Sequence, residues 1–255
     1  MTAVPRETRA RPTVRFDVRW VIGGAWLLAA AAELTGRGGL VNHDQLIEGG
    51  VPTPVALVLF LVAWQAMVAA MMLPSALPVI RLFDRVSAAQ PRARMARFAF
   101  VASYIVVWTG FGGAAFLFDT VVHATVDSSP WLLSHPFVIA GATLLVAGLF
   151  QFSPLKEACL RQCRNPGAFM LRYYRRGIGR AFVTGAWHGT FCLGCCWALM
   201  LVAFALGMAN LVWMAGLMLL MTLEKRWTHG PLLARLSGVW LTLIGVMVVT
   251  QPLWA

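Results

Sequence analysis

The chain has 255 residues, of which 59% are hydrophobic and only 12% are charged. Soluble domains carry roughly 25% charged residues, so this composition excludes an ordinary soluble globular protein. The net charge of +11 could indicate nucleic-acid binding, but the basic residues stand in short clusters between apolar runs, as topology signals and contacts with anionic lipids do. We therefore predict an all-α, polytopic transmembrane helix bundle whose partner is the lipid bilayer and not a nucleic acid.

The first part of the chain, residues 1–19, is basic and polar, and we predict that it is a cytoplasmic segment. Residues 20–255 are expected to form a single transmembrane helical domain. The first apolar run, residues 20–34, is short for a span and contains four consecutive alanines before Glu33. This pattern also resembles a signal peptide with a small-residue cleavage site. We expect a retained first helix, with cleavage as the alternative.

Six further apolar runs follow and, with the first, predict about seven spans. They cover residues 55–80, 98–118, 136–152, 181–206, 211–223 and 232–250. If the spans alternate in direction, every Lys and Arg except Arg37 lies on one side of the bilayer. Cytoplasmic loops carry such an excess, so we place the N-terminus inside and the C-terminus outside a bacterial plasma (inner) membrane. The basic stretch 156–180 is expected to hold a short amphipathic helix at the inner surface.

The fifth run carries the most informative pattern of the chain, a histidine followed by three cysteines. His188, Cys192, Cys195 and Cys196 stand at i, i+4, i+7 and i+8, which places them on one face of a helix. One imidazole and up to three thiolates suit Cu(I) or zinc far better than magnesium or calcium. Ionisable residues inside membrane helices mark functional sites by default. We predict a metal site on this face, with thiol redox chemistry and simple packing as the alternatives.

The second run contributes two candidate thioether ligands, Met67 and Met71, which share a helix face at i, i+4. The second and fifth helices are predicted to run antiparallel, so both methionines fall at depths similar to Cys192 and Cys195. Thioethers beside thiols and one imidazole favour Cu(I) over zinc as the bound metal. Because the chain has 12 methionines, filling of space between helices is the alternative role of this pair.

A second cysteine pair, Cys159 and Cys163, lies on the predicted cytoplasmic side, where thiols stay reduced. With i, i+4 spacing on a helix, the two thiolates could form a site that passes Cu(I) to or from the fifth helix. Arg161 and Arg164 lie nearby and would favour the thiolate form of both residues. The alternative is a pair of inert interfacial thiols.

Three segments carry a family resemblance. They are QAMVAAMMLP at residues 65–74, QFSPLKEACLRQCRNP at residues 151–166 and GTFCLGCCWALM at residues 189–200. These segments, and the later Leu223-Glu-Lys225, look like the signatures of a bacterial family described as predicted metal-binding integral membrane proteins (domain of unknown function 2182). The resemblance covers about residues 55 to 230. It implies a metal role without naming a reaction, and it implies an assembly with a small soluble partner protein.

The sequence therefore favours an integral membrane protein that holds or transfers a soft metal, and it favours this function over that of an enzyme. Cu(I) is the expected metal, with zinc as the alternative. It contains no P-loop or other nucleotide motif, so we do not expect ATP-driven pumping by this chain alone. One alternative is a membrane thiol–disulfide oxidoreductase, because Cys192 and Cys195 form a C-x-x-C motif. The other is a non-catalytic membrane subunit that anchors a soluble partner. An oligomer is compatible with each of these three functions.

Overall fold

The computed structural model describes residues 18–35, 52–205 and 210–251. Within these ranges the elements in chain order are all α-helices, which confirms the all-α prediction. They are α1 (Val18–Leu34), α2 (Thr53–Met71), α3 (Leu73–Ser87), α4 (Ala93–Ser128), α5 (Pro130–Ser134), α6 (Phe137–Phe150), α7 (Pro154–Arg164), α8 (Pro166–Tyr173), α9 (Ile178–Ala205), α10 (Leu211–Arg226) and α11 (Gly230–Val249). Most of the basic segment 1–19, and the loop that contains Arg37, lie outside the described residues.

Four of these helices, α2, α4, α9 and α11, are long and apolar enough to cross a membrane. Helices α6 and α7 pass the same test together, although the chain bends by 64° between them, so the described residues hold up to five spans. These lengths and compositions fit a membrane protein. Helices α1 and α10 have 17 and 16 residues, short of the about 20 that a span needs. The count of seven spans, the cytoplasmic N-terminus and the inner-membrane location therefore stay predictions.

The second apolar run is predicted as one helix, but the structure divides it into α2 and α3 at Met72. Pro74 accounts for the division, because its ring has no N–H to donate to the carbonyl of Ala70 and crowds that group. The indole Nε1 of Trp26, on α1, donates to this carbonyl instead, at 3.1 Å. A neighbouring helix thus satisfies the acceptor that proline frees, as a membrane interior requires. The break leaves Met72 at the junction of the two helices.

The basic stretch after the fourth apolar run forms two helices, α7 and α8, where the sequence predicts one short amphipathic helix. The location of this stretch at the inner surface stays a prediction. Helix α7 begins with Pro154, and the hydroxyl of Ser153 caps it by accepting from the backbone N–H of Lys156 at 3.1 Å. The side chains of Lys156, Cys159 and Cys163 follow at helical spacing and are buried. Helix α7 therefore packs one face against the bundle, while its other face, with Leu155, Glu157 and Arg161, stays exposed.

Helix α9 is the centre of the bundle and packs against α4, α6, α7 and α10. Its contact with α4 is close because Gly185 faces the carbonyl of Phe100 and the hydroxyl of Ser103, where a Cβ atom would collide. Small residues permit such an approach between membrane helices. This packing buries the face of α9 that carries the predicted metal ligands.

Candidate metal centre

The four predicted ligands of α9 lie on one buried face, as their spacing predicts. His188, Cys192, Cys195 and Cys196 are each at most 2% exposed. The thiols of Cys195 and Cys196 donate to the backbone carbonyl of Cys192, at 3.1 and 2.7 Å. All five cysteines of the chain are free. The face is therefore a row of reduced thiols and one imidazole, shielded from solvent.

Helix α7 brings the second cysteine pair to the same place. The Sγ atom of Cys163 lies 3.9 Å from that of Cys195. The cytoplasmic location of the pair stays a prediction. Cys159 is buried beside Gly194, where a Cβ atom would lie only 2.6 Å from the Cys159 Sγ atom. Gly194 is thus the position on α9 that lets α7 approach. Together these side chains form what we call the cysteine cluster: Cys159, Cys163, Cys192, Cys195 and Cys196.

The junction of α2 and α3 adds a thioether that sequence reasoning missed. The Sδ atom of Met72 lies 3.5 Å from the Sγ atom of Cys196. The predicted pair, Met67 and Met71, is buried on α2, and its role as a ligand pair stays a prediction. The spacing argument assumes an unbroken helix, but the helix ends at the residue before Met72. The signal in the sequence was two consecutive methionines followed closely by a proline.

Two polar side chains from other helices also contact Cys192. The phenol oxygen of Tyr104, on α4, lies 3.2 Å from its Sγ atom, and the Nζ atom of Lys225, on α10, lies 3.3 Å from it. Lys225 also donates to the hydroxyl of Ser75, on α3, at 3.0 Å. The sequence did not identify Tyr104, Ser75 or Lys225 as members of the site. Only the Leu223-Glu-Lys225 segment of the family resemblance pointed to one of them.

A buried ion pair joins α7 to α10. The Nζ atom of Lys156 lies 2.7 Å from the Oε2 atom of Glu224, and both side chains are 2% exposed. Arg164, at the end of α7, donates to the backbone carbonyls of Glu224 and Thr228, at 2.8 and 3.1 Å. A buried charge that loses its partner is strongly destabilising. These contacts therefore hold α7, with its two cysteines, in one position relative to α10.

The imidazole of His188 is enclosed by aromatic rings. It stacks on Phe100 and Tyr104, with ring centroids 6.0 and 5.5 Å apart, and Phe169 meets it edge-on at 5.6 Å. Its Nε2 atom is buried with no hydrogen-bond partner among the described residues. An unsatisfied buried polar group costs about 1–3 kcal/mol. Binding of a metal ion or a hydrogen-bond partner at this nitrogen would remove that cost.

The donor atoms meet in pairs and do not form a complete cage. Within the part of the chain that the structure describes, no three side chains of His, Cys, Asp or Glu converge as a group that could hold a metal ion. Structural zinc sites are closed and four-coordinate, and this arrangement does not provide one. The contacts that exist, Cys163 with Cys195 and Cys196 with Met72, are soft sulfur pairs of the kind that selects Cu(I).

Comparison with known proteins points to copper as well. A family model described as PpoB2, copper chaperone, matches residues 61–248. The chain belongs to this copper chaperone family. The match includes the whole cysteine cluster together with His188, Met72 and Lys225. No curated protein and no solved structure matches the chain.

For this member of the copper chaperone family, the family description supports an association with copper. That agrees with the metal role that the resemblance to the predicted metal-binding membrane proteins implies. Zinc as the metal, and membership of the family called domain of unknown function 2182, stay predictions.

Proposed function

We propose that this protein binds Cu(I) as cargo inside the membrane and transfers it to a partner protein. The observation that carries the proposal is the 3.9 Å approach of Cys163 and Cys195, which joins thiols of two helices. The thioether of Met72, 3.5 Å from Cys196, extends the sulfur set to a third segment of the chain. Thiolates and thioethers are soft ligands that select Cu(I), and the family description supports copper.

In this proposal the cysteine cluster supplies the primary ligands. His188 is the candidate nitrogen ligand, because it shares the buried face of α9 and its Nε2 atom has no hydrogen-bond partner in the described chain. Met72 supplies a thioether, and Met67 and Met71 assist from α2. Because these donors are buried, bound Cu(I) would be kept from water and from soluble oxidants.

Transfer follows from the division of the ligands between two helices. Cu(I) held by Cys163 and Cys195 bridges α7 and α9. When an incoming thiolate replaces one of these ligands, one Cu–S bond forms as another breaks, and the oxidation state of copper does not change. Cys159 lies one turn from Cys163 on α7 and offers the next sulfur on this route. We propose a small soluble protein as the recipient.

The direct test measures copper in the purified full-length protein in detergent, after loading under reducing and anaerobic conditions. Wild type is expected to retain stoichiometric Cu(I), and the Cys192→Ser/Cys195→Ser/Cys196→Ser variant is expected to lose it. X-ray absorption should show sulfur neighbours around the metal. A Met214→Leu variant, changed at a buried methionine near the start of α10, is the control. Copper that remains unchanged in the triple variant would contradict the proposal.

Thiol–disulfide exchange is a second candidate function, favoured by the same approach of Cys163 and Cys195. Oxidation of this pair would form one S–S bond and pass two electrons and two protons to an acceptor such as a quinone. Thiol trapping in cells separates the two functions. Thiols that stay reduced in the growing cell support copper binding, whereas a pair that cycles between both forms supports exchange.

A further inference from the structure

A buried ammonium group lies against the proposed copper ligands. The Nζ atom of Lys225 is 3.3 Å from the Sγ atom of Cys192 and 3.0 Å from the hydroxyl of Ser75, and the residue is only 6% exposed. Buried charges are kept in proteins when they are paired and hydrogen-bonded. Here a positive charge lies beside the proposed binding site of another cation, so the two charges repel each other.

The charged groups around Lys225 do not cancel its charge. Lys156 and Glu224 form a pair of opposite charges at 2.7 Å, so together they add no net charge. Arg164 donates to backbone carbonyls beside this pair and adds a further positive charge. Among the described residues, Lys225 is the charged side chain that is hydrogen-bonded to the cysteine cluster. Apart from the thiolates that would bind the metal, the charged side chains around the cluster therefore add a net positive charge.

We propose that Lys225 makes the site selective for monovalent Cu(I) over divalent ions such as Zn(II). The inference rests on the function proposed above and names its specificity-determining residue. The repulsion between two charges is proportional to each of them, so a fixed ammonium opposes a divalent ion twice as strongly as a monovalent one. The hydrogen bond from Lys225 to Cys192 stabilises the thiolate in both complexes and does not discriminate between the metals.

The distances make this discrimination large. The ammonium lies 3.3 Å from the Cys192 sulfur, and a zinc–sulfur bond is about 2.3 Å. A metal that takes Cys192 as one of its ligands in the cluster therefore stays within about 6 Å of the ammonium. At that distance, and at an effective dielectric constant of about 20, one extra unit charge on the metal costs on the order of a hundredfold in affinity. The selectivity should therefore be measurable in a single variant.

Tyr104 provides the matched control, because it contacts the same sulfur without carrying a charge. Its phenol oxygen is 3.2 Å from the Sγ atom of Cys192. Tyr104→Phe removes a neutral contact, whereas Lys225→Met removes a contact and a charge. A change in selectivity that only the lysine variant shows must come from the charge. Arg226→Met is a second control, since it removes an exposed positive charge from the next position of α10.

The experiment measures the Cu(I) and Zn(II) dissociation constants of the full-length protein in one detergent, each by competition with a chelator of known affinity. In Lys225→Met the Zn(II) affinity relative to the Cu(I) affinity should rise by at least about tenfold. Tyr104→Phe and Arg226→Met should leave this ratio close to that of wild type. If the Lys225→Met protein aggregates in detergent, Lys225→Gln gives the same comparison, because glutamine is neutral and keeps a hydrogen-bond donor.

The outcomes separate this inference from the proposed function. Wild-type protein that binds no Cu(I) would overturn both. Wild-type protein that binds Cu(I), with an unchanged ratio in both lysine variants, would overturn the selectivity role and leave the copper site standing. An equal rise in Tyr104→Phe would also overturn it, because a neutral contact would then explain the effect.

Discussion

At the residue scale, Cys192 is the point where the contacts of the site converge. Its sulfur meets a phenol from α4 and an ammonium from α10, and its carbonyl accepts the thiols of Cys195 and Cys196. Because three helices fix this residue, its sulfur has a defined position before any metal binds. Defined positions of the ligands and their neighbours are what a selective metal site needs.

Met72 gives a test of the thioether contact. Met72→Leu keeps the volume of the side chain but removes the sulfur that lies 3.5 Å from Cys196. We expect the Cu(I) affinity to fall about tenfold, which is the smaller of the effects seen for groups around a metal. Met67→Leu and Met71→Leu are matched variants on α2. Competition with a Cu(I) chelator measures all three, and an effect confined to Met67 or Met71 would favour the sequence prediction over the observed contact.

Sequence reasoning could name the ligand face of α9 but not the groups that meet it. The spacing of His188, Cys192, Cys195 and Cys196 fixes their common face, since helical periodicity acts within one element. The other contacts come from Met72, Tyr104 and Lys225, which lie outside α9. Helical spacing does not tell which residues of two different helices lie side by side. Their contribution depends on tertiary packing, so only the structure shows it.

At the element scale, α7 places its two cysteines against the row of three cysteines on α9 and so completes the cluster. The sequence predicts a short amphipathic helix in the basic stretch 156–180 without saying which residues it buries. Yet Lys156, Cys159 and Cys163 lie on one face at i, i+3 and i+7, and this spacing is readable in the sequence. Burial of Lys156 required a partner, Glu224, that is 68 residues away in the chain. The distance along the chain explains why the pairing was not predicted.

Gly194 tests the approach of α7 to α9. In Gly194→Ala the new methyl carbon would lie 2.6 Å from the Cys159 sulfur, so the Cys159 side chain or the two helices must shift. We expect a loss of about 1–3 kcal/mol in the free energy of unfolding, together with weaker copper binding. Gly216→Ala on α10, where a Cβ would meet nothing within 4 Å, is the control. Equal thermal stability of the two variants in detergent would show that the contact is unimportant.

The ion pair between Lys156 and Glu224 tests the attachment of α7 to α10. Glu224→Gln leaves the buried ammonium of Lys156 without its partner, and we expect a loss of about 3–5 kcal/mol in stability. The double variant Lys156→Met/Glu224→Gln should recover much of this loss, because no unpaired charge remains. Thermal unfolding in detergent measures both variants. A double variant less stable than the single one would mean that the pair stabilises the bundle by attraction and not by avoiding an orphan charge.

At the scale of the whole molecule, the apolar runs predict where most helices lie, since burial in lipid demands long apolar helices. The run at 181–206 corresponds closely to α9, Ile178–Ala205. The run at 55–80 does not remain one helix, because Pro74 interrupts it. Hydropathy measures how apolar a segment is and not how it bends. It therefore does not predict the break at Met72 or the bend between α6 and α7. Composition therefore predicts the positions of single helices better than the number of spans.

The proposed binding of Cu(I) between α7 and α9 is tested most directly by the copper content of the Cys163→Ser/Cys195→Ser variant. The variant changes two atoms, the sulfurs that lie 3.9 Å apart across the two helices. Full-length wild type, loaded in detergent under reducing conditions, should hold stoichiometric Cu(I) with sulfur neighbours in its X-ray absorption spectrum. The double variant should elute at the same volume in size exclusion and hold only a trace of copper. A folded double variant with the copper content and the sulfur coordination of wild type would contradict the proposal.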